Sequence, residues 1–318
     1  MVDTHNPTAG LPRVSVIIVN YETSAMVKRC AASLRGQPVT HEVIVVDNPS
    51  LANDADNLEG LGVRVIRNRE NIGYGRACNA GAVAARGGLI CVLNPDTALP
   101  EGALGAWASL METELAAGRR IGLLAPRLLN DNGAAQRSAY QFVNPLNYWL
   151  YHSIAAGALK ALRKSFRLPS PESRRGVRSA GWVMGAALMI QRDAWDAVRG
   201  FGENYFLYAE DTDLCWRLRE AGWDVCYTGD VSIIHTQGDP PPERRALSIA
   251  RLFDGINTFI SQHYGAPRRA AVRACVITDM ILRIALYSMM RLRRPGDKLL
   301  ESRLEGAKRV LRNYRRRQ

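Results

Sequence analysis

"VSVIIVNY" (Val14–Tyr21) is apolar at almost every position and ends in a polar pair. A continuous run of this kind reads as a strand buried on both faces. Moving outward, a helical pattern follows over about Ser24–Leu34. "EVIVVDN" (Glu42–Asn48) is a second strand and "VRVIRN" (Val63–Asn68) a third. "NIGYGRACNAGAVAARG" is a Gly-rich turn running into an Ala-rich helix, "LICVLNPD" (Leu89–Asp96) a fourth strand, and Pro100 to about Ala117 a helix. Strands alternating with helices predict an α/β fold with a mostly parallel, doubly wound sheet.

Such sheets bind ligands at the carboxyl ends of their strands. Those ends carry Asn20–Tyr21, Asp47–Asn48, Asn68 and Asn94–Asp96. Asn and Asp are common after strands, but four in succession predict a polar rim around one crevice.

The second half changes character. "VMGAALMIQRDAWDAVRGF" (Val183–Phe201) reads as a strand and a short helix, and "DVCYTGDVSIIHTQG" (Asp224–Gly238) as two short strands ending at His235. Pro240–Pro242 precede another helix, about Glu243–His263, while residues 144–178 fit the sheet pattern poorly. Between them, "YFLYAEDTDLCWRLREAGWDV" (Tyr205–Val225) sets Glu210, Asp211 and Asp213 at a helix start beside Tyr205, Phe206 and Tyr208. Leu214 and Leu218 give that helix an inward face, and Gly222 is its stop. First-turn acids cap a helix and complement its dipole. One or two suffice for that, so a third beside apolar surface points to a base held in a cleft.

Composition sets bounds. The chain has 318 residues, 47% of them hydrophobic, enough for a sizeable core. The opening "MVDTHNPTAGLPR" reads as polar, with no signal peptide. The six cysteines form no CxxC pair and are expected to be reduced and buried, as in a cytosolic protein. Of the net charge of +12, Ala266–Gln318 holds +11, from 15 basic and 4 acidic residues. A near-neutral body with a basic tail predicts an anionic surface as partner.

"GYGRAC" (Gly73–Cys78) lacks the third Gly of a dinucleotide fingerprint and follows the third strand rather than the first, against a Rossmann oxidoreductase. "LNPDT" puts Asp96 where a divalent cation on a diphosphate could be held, or simply starts a turn. His235 completes a metal site only if the fold brings it to Asp96.

Taken in order, "VSVIIVNYET", "VIVVDN", "NRENIGYGRACNAG", "LNPDT", "VMGAALMIQRDAWDAVRGFGENYFLYAEDTDLCWRLREAGW" and "IIHTQG" resemble an inverting family-2 glycosyltransferase of the GT-A fold. The set covers roughly Arg13–Gly238 and is nearest to bacterial rhamnosyltransferase-like enzymes of surface polysaccharide assembly. The resemblance implies a nucleotide-diphospho-sugar donor, with Asn20, Tyr21, Asp47, Arg76, Asn79 and Asn94 in its binding site. It implies Mg²⁺ or Mn²⁺ on Asp96, with His235 as a second ligand. The family's acidic motif is commonly Asp-x-Asp, and here it is Asn94-Pro95-Asp96, one carboxylate fewer. It implies Asp211 as the base that takes the acceptor's proton, supported by Glu210 and Asp213. dTDP-rhamnose is the expected donor, and a glycan or polyprenyl-linked sugar the acceptor. The alternative is a non-catalytic nucleotide-sugar or polyanion binding protein on the same scaffold.

These readings divide the chain into a catalytic domain at 1–265, with a nucleotide-binding half at about 13–126 and an acceptor half at about 178–265, and a basic helical extension at 266–318. The extension reads as two helices split at Pro295–Gly296. The first is apolar from Val272 to Met290 but interrupted by Asp279 and Arg283. That predicts a helix lying in a membrane interface rather than spanning it, or one packed on the body with a solvated basic face. The tail lacks the aromatic interleaving of a nucleic-acid binder. The expected location is cytoplasmic, peripheral on the inner face of the cell membrane, with a homo-oligomer left open.

Overall fold

The computed structural model describes residues 12–50, 58, 60–154, 156, 175–236 and 241–316. The opening residues 1–11, the basic stretch at 157–174, and Gln237 and Gly238 of "IIHTQG" lie outside them. The chain forms two compact units. One comprises Met1–Tyr140, Pro171–Phe206 and Leu214–Gln237, the other Gln141–Ser170, Leu207–Asp213 and Gly238–Gln318.

The first unit is built on β1 (Val14–Asn20), β2 (His41–Asp47), β3 (Arg64–Arg67), β4 (Leu89–Leu93), β5 (Thr97–Ala98), β6 (Ile121–Leu129), β8 (Val177–Ser179), β10 (Ala187–Gln191) and β11 (Asp224–His235). Its sheet runs β3-β2-β1-β4-β10-β6-β11-β5, with β8 on β11. The pairs β1–β2, β1–β4, β2–β3 and β6–β11 are parallel, and β10 is antiparallel to β4 and β6. A short ribbon pairs β7 (Ala139–Tyr140) with β9 (Trp182–Val183). All seven residues of β1 are buried, as its sequence requires. Helix α1 (Ser24–Leu34) buries Val27, Cys30, Ala31 and Leu34, one apolar face at helical spacing. Helices α2 (Tyr74–Ala84) and α3 (Ala103–Ala116) complete the βαβ pattern, and the short helix α5 (Arg192–Val198) follows β10.

The expected pair of short strands over Asp224–Gly238 is instead one strand, β11. It follows β6 in parallel and absorbs a register irregularity between Tyr227 and Ser232. Strand β6, "IGLLAPRLL", carries Pro126 inside its run and was not among the expected strands.

The second unit holds α4 (Pro145–Tyr151), α7 (Pro242–His263), α8 (Ala266–Arg293) and α9 (Lys298–Arg316). Helix α4 begins with a capping box between Asn144 and Asn147 and Pro145 in its first turn, so residues that fit no strand start a helix. Helix α9 buries Leu300, Leu304, Ala307, Val310 and Tyr314, and the Tyr314 hydroxyl donates to the Phe253 carbonyl at 2.8 Å. The break expected at Pro295–Gly296 separates α8 from α9. Asp279 is fully buried and accepts from Tyr148 Oη (2.9 Å), Ile154 N (2.7 Å) and Arg283 Nε (2.8 Å). The two charges that interrupt the apolar run thus form an internal network. Arg283 also donates to the His152 carbonyl at 2.7 Å. The six cysteines form no disulfide, and all but Cys275 are buried.

Candidate active site

In the first unit the parallel strands β3, β2, β1 and β4 end side by side along one edge of the sheet. Asn20 is fully buried and its Nδ2 donates to Asp47 Oδ1 at 2.7 Å. The other end of its amide accepts from Thr23, so the side chain ties β1 to β2 and opens α1. Tyr21, the next residue, is 42% exposed. Asn68 Nδ2 donates to Asn48 Oδ1 at 2.9 Å, and Asn48 Nδ2 to the Gly73 carbonyl at 3.2 Å.

Gly73 has φ +87°, and a Cβ there would lie 2.5 Å from the Phe206 carbonyl oxygen, which accepts from Tyr74 N at 3.0 Å. The Gly-rich turn is thus required by close approach of another backbone segment. Arg76 donates to the Glu203 carbonyl at 3.0 Å. Asn79 spends both ends of its amide on the Phe201 backbone, at 2.9 and 2.8 Å. The structure engages both residues with the 201–203 segment. Asn94 is half-buried, and its side chain makes no hydrogen bond among the described residues.

Asp96 and His235, 139 positions apart in sequence, are brought together by the pairing of His235 with Thr97 across β11 and β5. His235 Nε2 lies 3.4 Å from Asp96 Oδ1, a buried atom with no hydrogen-bond partner. Sequence reasoning missed the third member, Gln136. Its Nε2 donates to the His235 carbonyl (2.6 Å) and Asn130 Oδ1 (2.8 Å), which turns its Oε1 to His235 Nδ1 at 2.8 Å. Nδ1 must therefore carry the hydrogen, and Nε2 points a lone pair at a carboxylate oxygen. That arrangement needs positive charge between the two atoms, a metal ion or a proton on Nε2. The donor set of imidazole plus carboxylate suits a divalent cation, and a fixed tautomer with an outer partner is how ligating histidines are held. Among the described residues no group of three or more His, Cys, Asp or Glu side chains could hold a metal, so these two stand as a pair.

A cavity of about 510 Å³ also lies in this unit, lined by Arg35, His41, Glu42, Arg64 and Arg86 among others. It sits at the amino ends of β2 and β3, away from the strand ends that carry these polar residues.

In the second unit, Tyr208 (φ +73°) and Ala209 (φ +68°) hold left-handed backbone directly before α6 (Glu210–Glu220). Such non-glycine residues cost roughly 1–3 kcal/mol each and cluster at functional sites. Gly255 of α7 admits this turn, since a Cβ there would lie 2.5 Å from the Tyr208 carbonyl oxygen. The three acids that follow have different surroundings. Glu210 is buried, its Oε2 without a partner, and its carboxyl is pushed up to about 8 by burial first and the charge of Asp211 second. Asp213 is buried, and its Oδ1 meets His263 Nε2 at 2.8 Å. Asp211 is half-buried, and its Oδ1 accepts from Thr212 N at 2.7 Å. The acid raised by apolar surroundings is Glu210, beside the residue expected to act as base. His263 was missed, for no local signal ties it to an acid 50 positions earlier. In the first unit α6 ends as expected at Gly222, with Trp223 N on the Leu218 carbonyl and Gly222 N on Arg219's.

Residues 15–123 match the family model "Glycosyl transferase family 2". The chain is 29% identical over 317 residues to the N-acetylglucosaminyl-diphospho-decaprenol L-rhamnosyltransferase of Mycobacterium tuberculosis, covering 91% of this chain and 98% of that one. It is 23% identical to the low-salt glycan biosynthesis hexosyltransferase Agl10 of Haloferax volcanii, over 80% of this chain and 76% of that one. Among solved structures it resembles the mannosyltransferase PcManGT from Pyrobaculum calidifontis in complex with GDP-Man and Mn²⁺. That match has a TM-score of 0.56 at 14% identity and covers 95% of this chain and 88% of the other. The chain thus carries a family 2 glycosyltransferase domain on a GT-A fold, is rhamnosyltransferase-like, and is a glycosyltransferase.

Proposed function

We propose that the protein transfers a sugar, L-rhamnose from dTDP-rhamnose, to a hydroxyl of a polyprenyl-linked glycan in cell-surface polysaccharide synthesis, with inversion at the anomeric carbon. The observation that carries the assignment of roles is the sorting of the three acids. Burial favours the protonated form of Glu210, Asp213 is paired with His263, and Asp211 is the one that solvent reaches best. Asp211 is therefore the base, taking the acceptor's proton as the new C–O bond forms and the nucleotide diphosphate leaves. Asn20 and Asp47 bind the nucleoside, Tyr21 offers an exposed ring for stacking, and Asn94 faces the diphosphate.

Asp96 and His235 would hold the divalent cation, Mg²⁺ or Mn²⁺. The orphaned Asp96 oxygen and the fixed imidazole tautomer support this. A cation held there supplies positive charge to the departing diphosphate. The relative acting on a diphospho-decaprenol sugar and the mannosyltransferase solved with Mn²⁺ support the acceptor class and the metal.

A lipid-linked acceptor places the enzyme at a membrane surface. Among the described residues no helix is long and apolar enough to cross a membrane. The association is peripheral, on the inner face, through the basic tail and the exposed apolar residues of α8, Ile281, Leu282, Leu286, Met289 and Leu292.

Transfer by Asp211→Asn, assayed with dTDP-rhamnose and a polyprenyl-diphosphate glycan, tests the reading. Loss of about 10²–10⁴ in rate with donor affinity retained is expected. Turnover within twofold of wild type would remove Asp211 as the base, and no turnover of wild type with this donor would remove rhamnose.

A further inference from the structure

Helix α8 turns its charges inward and shows solvent an uncharged side. Between Ala270 and Met289 its charged residues are Arg273, Asp279 and Arg283. Arg273 donates to Asn257 Oδ1 at 3.1 Å and to the Tyr314 carbonyl at 2.7 Å, and the other two form the buried network described above. Every exposed residue over that span is uncharged. Up to Thr278 these residues are small, alanines and one threonine. Beyond it they include Ile281, Leu282, Leu286 and Met289, the last 57% exposed.

The apolar residues and two arginines share one side of the helix. Steps of three and four positions lead from Arg268 through Thr278, Leu282, Leu286 and Met289 to Arg293, which is the spacing of a single helical seam. Both arginines are exposed, and they stand about 38 Å apart along the axis. A second copy laid on this seam meets like charge. Packed antiparallel, Arg268 faces Arg293; packed parallel, each faces its twin. No exposed acid lies between them to offset that. An anionic leaflet complements the whole seam, with phosphates for arginines that snorkel at either end and acyl chains for the middle.

We propose that α8 lies in the plane of an anionic leaflet on this seam, with its Ile281–Met289 half sunk among the acyl chains and its alanine-rich half level with the headgroups. The inference rests on the peripheral membrane reading above and deepens it. Partition of the apolar half carries the binding, in place of diffuse attraction by the tail's charge, and it fixes which side of the second unit meets lipid.

The test is co-sedimentation of the full-length protein with vesicles of phosphatidylcholine and phosphatidylglycerol at about 0.1 M and about 1 M salt, where the screening length falls from about 10 Å to about 3 Å. Wild type should stay bound at the higher salt. Leu282→Ser combined with Leu286→Ser changes no charge and should lower binding about tenfold at both salts. Lys308→Glu, at an exposed position on α9, makes a larger charge change and should act weakly, at low salt alone. Wild-type binding lost at high salt, with Lys308→Glu the more damaging variant, would overturn insertion and leave only diffuse attraction. Acyl-chain-brominated lipid should quench the fluorescence added by Met289→Trp more than that added by Ala271→Trp, and equal quenching would overturn the uneven depth. A lipid-free dimer in sedimentation equilibrium that the double serine variant abolishes would give the seam to a second copy and overturn the proposal. Wild type that sediments with no vesicle at either salt would overturn the membrane reading and this inference with it. Donor-nucleotide affinity measured without vesicles tests the transferase reading separately.

Discussion

His263 Nε2 lies 2.8 Å from Asp213 Oδ1, with both side chains largely buried. The pair joins the last turn of α7 to the first turn of α6, two residues from Asp211. A buried carboxylate bound to an imidazole is a poor candidate for binding an acceptor sugar and a good one for fixing the turn that presents Asp211, the proposed base.

His263→Ala should therefore lower kcat by up to about 10², the scale of an ångström of misplacement, with little change in donor affinity. His263→Gln, which keeps an amide donor, should recover part of that loss. Kinetics at saturating donor check it. Full activity of His263→Ala would reduce the pair to a clamp without catalytic consequence.

Gln136 offers a separate test of the metal. Its amide oxygen faces His235 Nδ1 at 2.8 Å and sets which ring nitrogen is free. Gln136→Ala should weaken Mn²⁺ binding by about 10- to 100-fold, the usual cost of losing an outer partner of a ligating histidine. Asp96→Ala should abolish it. Titration calorimetry with Mn²⁺ and donor nucleotide reads both. Undiminished wild-type activity in excess chelator would show that the pair works through a proton instead.

Much of this architecture was legible because it is periodic or punctuated. The apolar run of β1, the face of α1 and the stop at Gly222 are local patterns that local physics enforces. The strand-end polar residues were legible for the same reason. What was not legible depends on tertiary approach. Nothing near Gln136 or His263 announces a partner about 100 or 50 positions away. Asp279 and Arg283 read only as interruptions of the apolar stretch of α8. Their partners, Tyr148 and the Ile154 amide, lie far back in the chain. Strand β6 hid behind Pro126, which argues against a central strand when read alone.

Glu210 gives the fold a pH dependence whose sign is fixed. Burial, and then the charge of Asp211, raise its carboxyl to about 8. Unfolded, it titrates near 4.3. Between about pH 4.3 and 8 the folded state keeps a proton that the unfolded state has lost, so this group's contribution to stability falls as pH rises. Glu210→Gln is neutral throughout and removes that penalty. Its Tm advantage over wild type should grow steadily from about pH 5 to about pH 8. Differential scanning calorimetry across that range is the check, and parallel Tm curves would mean that Glu210 ionises normally.

The Asp279 network should make the tail a cooperative part of its unit. Asp279 is fully buried and holds three donors, one of them the Arg283 guanidinium. The Tyr148 hydroxyl is driven far above its ordinary range by burial and then by this carboxylate, so it remains a donor at any working pH. Asp279→Ala strands Arg283, Tyr148 and the Ile154 amide together. Removing one side of a buried ion pair costs about 3–5 kcal/mol, far more than the pair adds over an apolar substitute. Asp279→Asn keeps an acceptor oxygen and should cost less. Arg283→Met paired with Asp279→Leu removes both charges and should be milder than Asp279→Ala alone. Urea unfolding of the four proteins ranks them. If Asp279→Ala unfolds at the wild-type midpoint, the network is not formed in solution.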